Sequence, residues 1–212
     1  MRLGIVLTIL MGLMVVVTAC NDPAADQPKA TTGAATQASP QQPNAAGTKY
    51  VISPQTSKIE FVGSKVTGSH NGAFEKFSGE IDYAGSPDKS RVTVTMETDS
   101  ITTDDANLTK HLKTADFFDV AKFPQATFSS TQIIPGGASG ASHTITGNLT
   151  LHGVTKSVTF PANISVTPEA ANVDANFSIN RKDFGINYAG AQDNLIRDDV
   201  VLKLTVRANK AS

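Results

Sequence analysis

Between Val154 and Val166 the even positions carry Val158, Phe160, Ala162, Ile164 and Val166, against Thr155, Ser157, Thr159 and Ser165. A repeat of two sends apolar side chains to one face of an extended strand and polar ones to the other. The same alternation recurs along the chain. Phe77, Gly79, Ile81 and Tyr83 are interleaved with Ser78, Glu80 and Asp82, and Val92, Val94 and Met96 with Thr93, Thr95 and Glu97. Ile145, Leu149 and Leu151, then Val173, Ala175, Phe177 and Ile179, then Val200, Leu202, Leu204 and Val206 follow the same rule. Asn71-Gly72, Ser86-Pro87-Asp88, Pro135-Gly136-Gly137, His152-Gly153 and Ala189-Gly190 read as the turns between them. Many short strands with one wet face and one apolar face must share a core. The pattern predicts an all-β chain built as an antiparallel sandwich or a closed barrel.

One stretch departs from the rule. From Thr103 to Lys113 the apolar residues Leu108 and Leu112 are four apart, with Asp104 and Asp105 ahead of them and Lys110 and Lys113 behind. That charge order suits a helix dipole, so a single short α-helix near residues 104–113 is expected to pack its leucines on the β body.

The N-terminus reads differently. Arg2 is followed by an uncharged run from Leu3 to Val17, and Val17-Thr18-Ala19-Cys20 closes it. A positive tip, an apolar run too short to span a bilayer and small residues before a cut site predict a signal peptide over residues 1–19. The Val-Thr-Ala-Cys sequence resembles the bacterial lipoprotein cleavage motif, which implies that Cys20, the only cysteine, is the lipidated first residue of the mature chain. With that thiol committed there is no disulfide, and the fold must rest on core burial. Residues 21–48 contain eight Ala, four Pro, four Gln and four Thr and no bulky apolar side chain. Such a segment, 20–48 with the lipidated cysteine, is expected to be a disordered tether with a reach of about 30 Å. All thirteen aromatic residues lie between Tyr50 and Tyr188, which puts the folded domain at 49–212.

Net charge is −1, so there is no basic footprint for nucleic acid. The chain has no Gly-x-Ser-x-Gly elbow, no His-Glu-x-x-His and no glycine-rich phosphate loop. His70, His111, His143 and His152 have no metal-ligand spacing. His111 and Asp116 form the one imaginable base and orienting group, and no nucleophile stands near them in the sequence. Arg181 and Asp183 read as a salt-bridged turn more readily than as a grip for a polar head group. The expectation is a protein without catalytic residues, metal or cofactor.

Four motifs, in order, resemble those of the YceI-like family: FEKFSG at 74–79, LTKHLKTADFFDVAKFPQATFSS at 108–130, GNLTLHGVTK at 147–156 and NRKDFGI at 180–186. The resemblance implies a single extended antiparallel barrel, lipocalin-like, of about eight strands. It also implies an elongated apolar cavity that binds, stores or transports a polyisoprenoid lipid of the isoprenoid quinone or polyprenol type. Phenylalanine can line a hollow as readily as fill one, because it has no polar atom to leave unsatisfied. The candidates for the cavity wall are Phe61, Phe77, Ile81, Phe117, Phe118, Phe123, Phe128 and Leu149. The chain departs from the family at Gly63–Asn71, where Val66 is the only bulky apolar residue, and this bears on the length of the cavity at that end. The expected partners are the lipid and, through Cys20, a membrane; a homodimer is compatible with the resemblance. The expected location is the bacterial cell envelope, facing the periplasm, with Asn21 after the cysteine favouring the outer membrane. The alternative is a structural or stress-response surface lipoprotein whose barrel is packed solid and binds nothing.

Overall fold

The computed structural model describes residues 22–36, 47–192 and 194–211. They form β1 (Thr31–Ala34), β2 (Thr48–Ile52), β3 (Lys58–Lys65), β4 (Gly68–Phe74), β5 (Phe77–Tyr83), β6 (Arg91–Glu97), β7 (Ile101–Thr103), helix α1 (Ala106–Leu112), β8 (Gln125–Pro135), β9 (His143–Leu151), β10 (Val154–Val166), β11 (Ala170–Asn180), the two-residue β12 (Gly190–Ala191) and β13 (Asn194–Leu195), and β14 (Asp199–Lys210). β2, β5, β6, β8, β9, β10, β11 and β14 pair in that order. The ring closes where Asn209 and Lys210 meet Val51 and Tyr50. The result is a closed antiparallel barrel of eight strands, as the resemblance of the motifs implies, and one of the two forms the alternation allows. β3, β4 and β7 prolong three of its columns, β3 lying on β14 from Lys58 opposite Thr205 to Val62 opposite Val201.

Two breaks allow this. Between β2 and β3 the side chains of Thr56 and Ser57 bond the main chain of Arg207, at 2.6 and 3.0 Å, where the ladder lapses. Where β5 and β6 give way to β4 and β7, Ser100 Oγ accepts from Lys76 N at 2.9 Å. Side-chain hydroxyls thus replace ladder bonds at the bends, so the buried main chain stays satisfied.

Asn71-Gly72 is not a turn. It lies inside β4, with Gly72 opposite Phe61, and the chain reverses at Val66-Thr67 instead. The glycine is required because a Cβ there would collide with the Phe61 ring. The helix is shorter than 104–113. Asp105 caps it by accepting from Leu108 N at 2.8 Å, and Asp104 stays outside, bonding Asn71 N at 2.8 Å and His70 Nδ1 at 2.7 Å.

The disordered tether is corrected over residues 22–36. β10 and β11 pair only from Asn163 opposite Asp174 to Val166 opposite Ala171, and then separate. Residues 28–34 enter the seam. β1 pairs antiparallel with β10 from Thr31 opposite Thr159 to Ala34 opposite Lys156, and Lys29 bridges Ser178 of β11 in parallel. Arg197 Nη1 donates to Asp22 Oδ2 at 3.1 Å, and Ala24 is buried against Val62 and Val201. Composition misses this because the segment is held by main-chain hydrogen bonds to two open strand edges, which need no bulky side chain. Residues 1–21 and 37–46, which carry the signal-peptide and lipidation expectations and the rest of the tether, lie outside the described residues.

Candidate functional site: a one-ended apolar cavity

The inward faces of the strands do not meet. They enclose a cavity of about 420 Å³, within the range of small-molecule sites. Its wall is what the alternation predicts: Val92, Val94 and Met96 from β6, Leu149 and Leu151 from β9, Val158 and Phe160 from β10, Phe177 and Ile179 from β11, and Leu202 and Leu204 from β14. Several of these, Val94 and Leu202 among them, stay partly accessible although they point inward, because the space they face is hollow. A barrel packed solid is therefore not what this chain builds.

The far end is filled. Tyr50, Ile52, Ala171 and Ala208 are buried there, and Tyr50 Oη donates to the Thr167 carbonyl at 2.7 Å. The near end carries the polar lining residues: Ser64, Lys65 and His70 from the β3–β4 hairpin, His111 from α1, Tyr188 from the following loop and Asn194 from β13. These elements are tied to one another. Val66 N donates to Leu195 O at 3.1 Å, Thr67 Oγ1 to Asn194 Oδ1 at 2.7 Å, and the rings of His111 and Tyr188 stand edge-on at 5.0 Å.

Of the eight residues expected at the wall, Phe61, Phe117, Phe118, Phe128 and Leu149 line the cavity. Phe61 meets Phe74 at a tilt, and Phe74 meets Phe118 edge-on. Phe128 packs on Phe160, which stacks on Phe177 at 4.2 Å. Gly147 lacks the Cβ that would strike the Phe128 ring, so a glycine sets the depth of this wall as well. The other three lie elsewhere. Ile81 is opposite Tyr50 in the filled end, and Phe77 is buried in the corner where β4 passes into β5. Phe123 packs outside the hollow on His152, with the Lys122 ammonium over its ring at 5.0 Å. Their surroundings depend on where the barrel bends and where it fills, which strand periodicity does not encode.

Arg181 is buried beside the mouth. Its guanidinium donates to the carbonyls of Ile186 at 2.7 Å and Arg197 at 3.1 Å, and pairs with Asp198 at 3.3 Å. The salt bridge expected within the turn between Arg181 and Asp183 is not the one formed: Arg181 pairs with Asp198 from a distant loop, and Asp183 accepts from Thr32 of the inserted segment at 2.6 Å. Burial pulls the guanidinium below its ordinary pKa and Asp198 opposes this, so the group stays cationic as a clamp on the mouth loops. His111 Nε2 meets Asp116 Oδ2 at 2.8 Å, both partly exposed at the rim.

The polar residues of the mouth are not expected from the sequence, Ser64 among them. Ser64 lines the cavity and is buried, and its hydroxyl has no partner among the described residues. Only its place opposite Ser69 at the end of β3 reveals it.

A closed up-and-down barrel around a one-ended apolar hollow defines the lipocalin-like class of architecture. Residues 50–208 match the YceI-like domain model, and the chain belongs to that family. It is 36% identical over 137 residues to a UPF0312 protein of Pseudomonas putida (strain W619), an alignment covering 61% of this chain and 70% of that one. The crystal structure of BcnA from Burkholderia cenocepacia is similar at TM-score 0.65 and 25% identity, over 74% of this chain and 99% of that one. A polyisoprenoid binding domain from Saccharophagus degradans, implicated in plant cell wall breakdown, shares the fold at TM-score 0.61 and 17% identity, over 78% of this chain and 99% of that one.

Proposed function

We propose that the barrel binds and carries an amphiphilic lipid with a polyisoprenoid tail, of the isoprenoid quinone or polyprenol type, outside the cytoplasm. The observation that carries this reading is the cavity, apolar along its wall and polar only at its open end. A prenyl tail has nothing to offer a protein except apolar surface. Each buried CH₂ contributes about 0.8 kcal/mol, so a few isoprene units bind firmly without a charged contact. The head remains among Ser64, His111, Tyr188 and Asn194, where hydrogen-bonding groups meet water. The name of the Saccharophagus degradans domain supports the ligand class. No catalytic step belongs to the proposal. The apolar run ending at Cys20 supports anchoring by lipidation in a bacterial envelope, facing the periplasm, with the outer membrane favoured.

Native mass spectrometry of the full chain extracted from membranes tests the reading. One co-purifying lipid that fragments in isoprene steps is expected. Protein that carries none, and takes none up from vesicles containing a polyprenol, would overturn it.

A further inference from the structure

The inserted segment does more than close the seam: its first residue is tied to the cavity mouth. Asp22 is held by Arg197, and Arg197 N donates to the carbonyl of Ser64 at 2.9 Å, a residue of the cavity mouth. Cys20 is two residues earlier, and two residues of chain reach at most about 7 Å. The uncharged run from Leu3 to Val17 ends at that cysteine. An apolar anchor ending at Cys20, retained or replaced by acyl chains, would then be bound to the mouth by that short reach, and not by a tether of about 30 Å.

A second observation points the same way. Among the described residues the large apolar side chains that remain exposed are Val51, Val66, Ile134, Tyr188 and Leu195. Val66 and Leu195 share a main-chain hydrogen bond on the mouth hairpins, and Tyr188 packs on Phe117 and His111 of the rim, so three of the five ring the opening. Val66 is the lone apolar residue of the otherwise polar Gly63–Asn71 stretch, placed at the tip of its turn. Isolated exposed apolar residues need no explanation, but a ring of them at a cavity mouth next to the chain's apolar end does.

We propose that this rim is a bilayer-docking face: Val66, Tyr188 and Leu195 insert at the membrane surface, and the strap from Asp22 to Ala34 holds the mouth against it. A lipid tail then passes between bilayer and cavity without exposing its length to water. This rests on the lipid-carrier reading above, since it assigns that cavity a route of loading. It differs in what it requires of residues outside the cavity.

The sequence contains no tryptophan, so one introduced indole reports its own depth. The full chain carrying Leu195→Trp, and separately Ile134→Trp on β8, is reconstituted in phosphatidylethanolamine–phosphatidylglycerol vesicles with brominated acyl chains. The Leu195→Trp indole is expected to be quenched and blue-shifted, and the Ile134→Trp indole to behave as it does in detergent-free buffer. A second arm uses Val66→Ser with Leu195→Ser, where delivery of cavity lipid to acceptor vesicles is expected to fall about tenfold or more while the lipid content of the purified protein is unchanged. Equal quenching at both positions, none at 195, or undiminished delivery would overturn the docking face. If the cavity carries lipid and the 195 indole stays in water, docking fails and the carrier reading stands. If the indole is quenched and no lipid is ever found, the carrier reading fails and docking stands.

Discussion

Lys29 lies in parallel register with Ser178, which donates its N–H to the Pro28 carbonyl at 2.9 Å and accepts from Ala30 N at 2.8 Å. Through this pair a segment without a bulky apolar side chain becomes part of the barrel wall. Removing residues 22–36 leaves the edges of β10 and β11 open. At about 0.5–1.5 kcal/mol per net hydrogen bond, the loss is on the order of 3 kcal/mol. For a chain of this size that lowers the thermal midpoint by about 5–10 °C. An unchanged midpoint by calorimetry would show that the segment merely rests on the surface.

Phe128 and Phe184 separate lining from filling. Phe184 is fully buried away from the cavity, so Phe184→Ala should cost about 3–5 kcal/mol in denaturant unfolding. Phe128 already faces a hollow, and Phe128→Ala should cost clearly less while bound lipid falls. Equal costs for the two, with lipid retained in Phe128→Ala, would mean that Phe128 is ordinary core.

Gly147 on the neighbouring β9 lies opposite Ser130, diagonal to Phe128, and a methyl group there would meet the Phe128 ring and the Ser129 carbonyl. Gly147→Ala should destabilise by about 1–3 kcal/mol through overpacking. Adding Phe128→Leu should recover part of this, so the double variant is less destabilised than the sum of the singles. Strict additivity in a double-mutant cycle would count against the contact.

Arg181 joins Asn180's turn to the mouth loops through two backbone carbonyls, those of Ile186 and Arg197, and the Asp198 carboxylate. Arg181→Met strands these groups and should cost about 3–5 kcal/mol. Arg181→Lys should recover little, since an ammonium cannot reproduce the planar fork. Near-complete recovery with lysine, measured by urea unfolding, would reduce the site to a simple point charge.

Asp104 carries a pH dependence of known sign. The Asn71 N–H, and then His70, hold its carboxyl below the ordinary aspartate pKa. A depressed folded pKa gives stability that is present above the unfolded value of about 3.9 and is lost as pH falls through the folded one. The side chain is partly exposed, so screening limits the effect to about 1 kcal/mol. Asp104→Asn should therefore be less stable than the parent at neutral pH, with the gap closing in acid. A gap that widens on acidification would reverse the assignment.

The period-two runs from Phe77 to Val206 determined by themselves that this chain is an antiparallel all-β body, sandwich or barrel, and which faces of β6, β9, β10, β11 and β14 point inward, because side-chain direction in a strand is set by local backbone geometry. Leu108 and Leu112 likewise marked α1, though the expected span of 104–113 exceeds the helix that forms. Where Phe61, Phe128 and Leu149 would face a hollow and Ile81 a filled end was decided only in the closed barrel, since the width at each level depends on bends at Ser57 and Ser100 and on neighbours far along the chain. The placing of residues 22–36 was decided there too. Its bonds are those of the main chain, which every sequence possesses, and what selects it is the seam left open between β10 and β11.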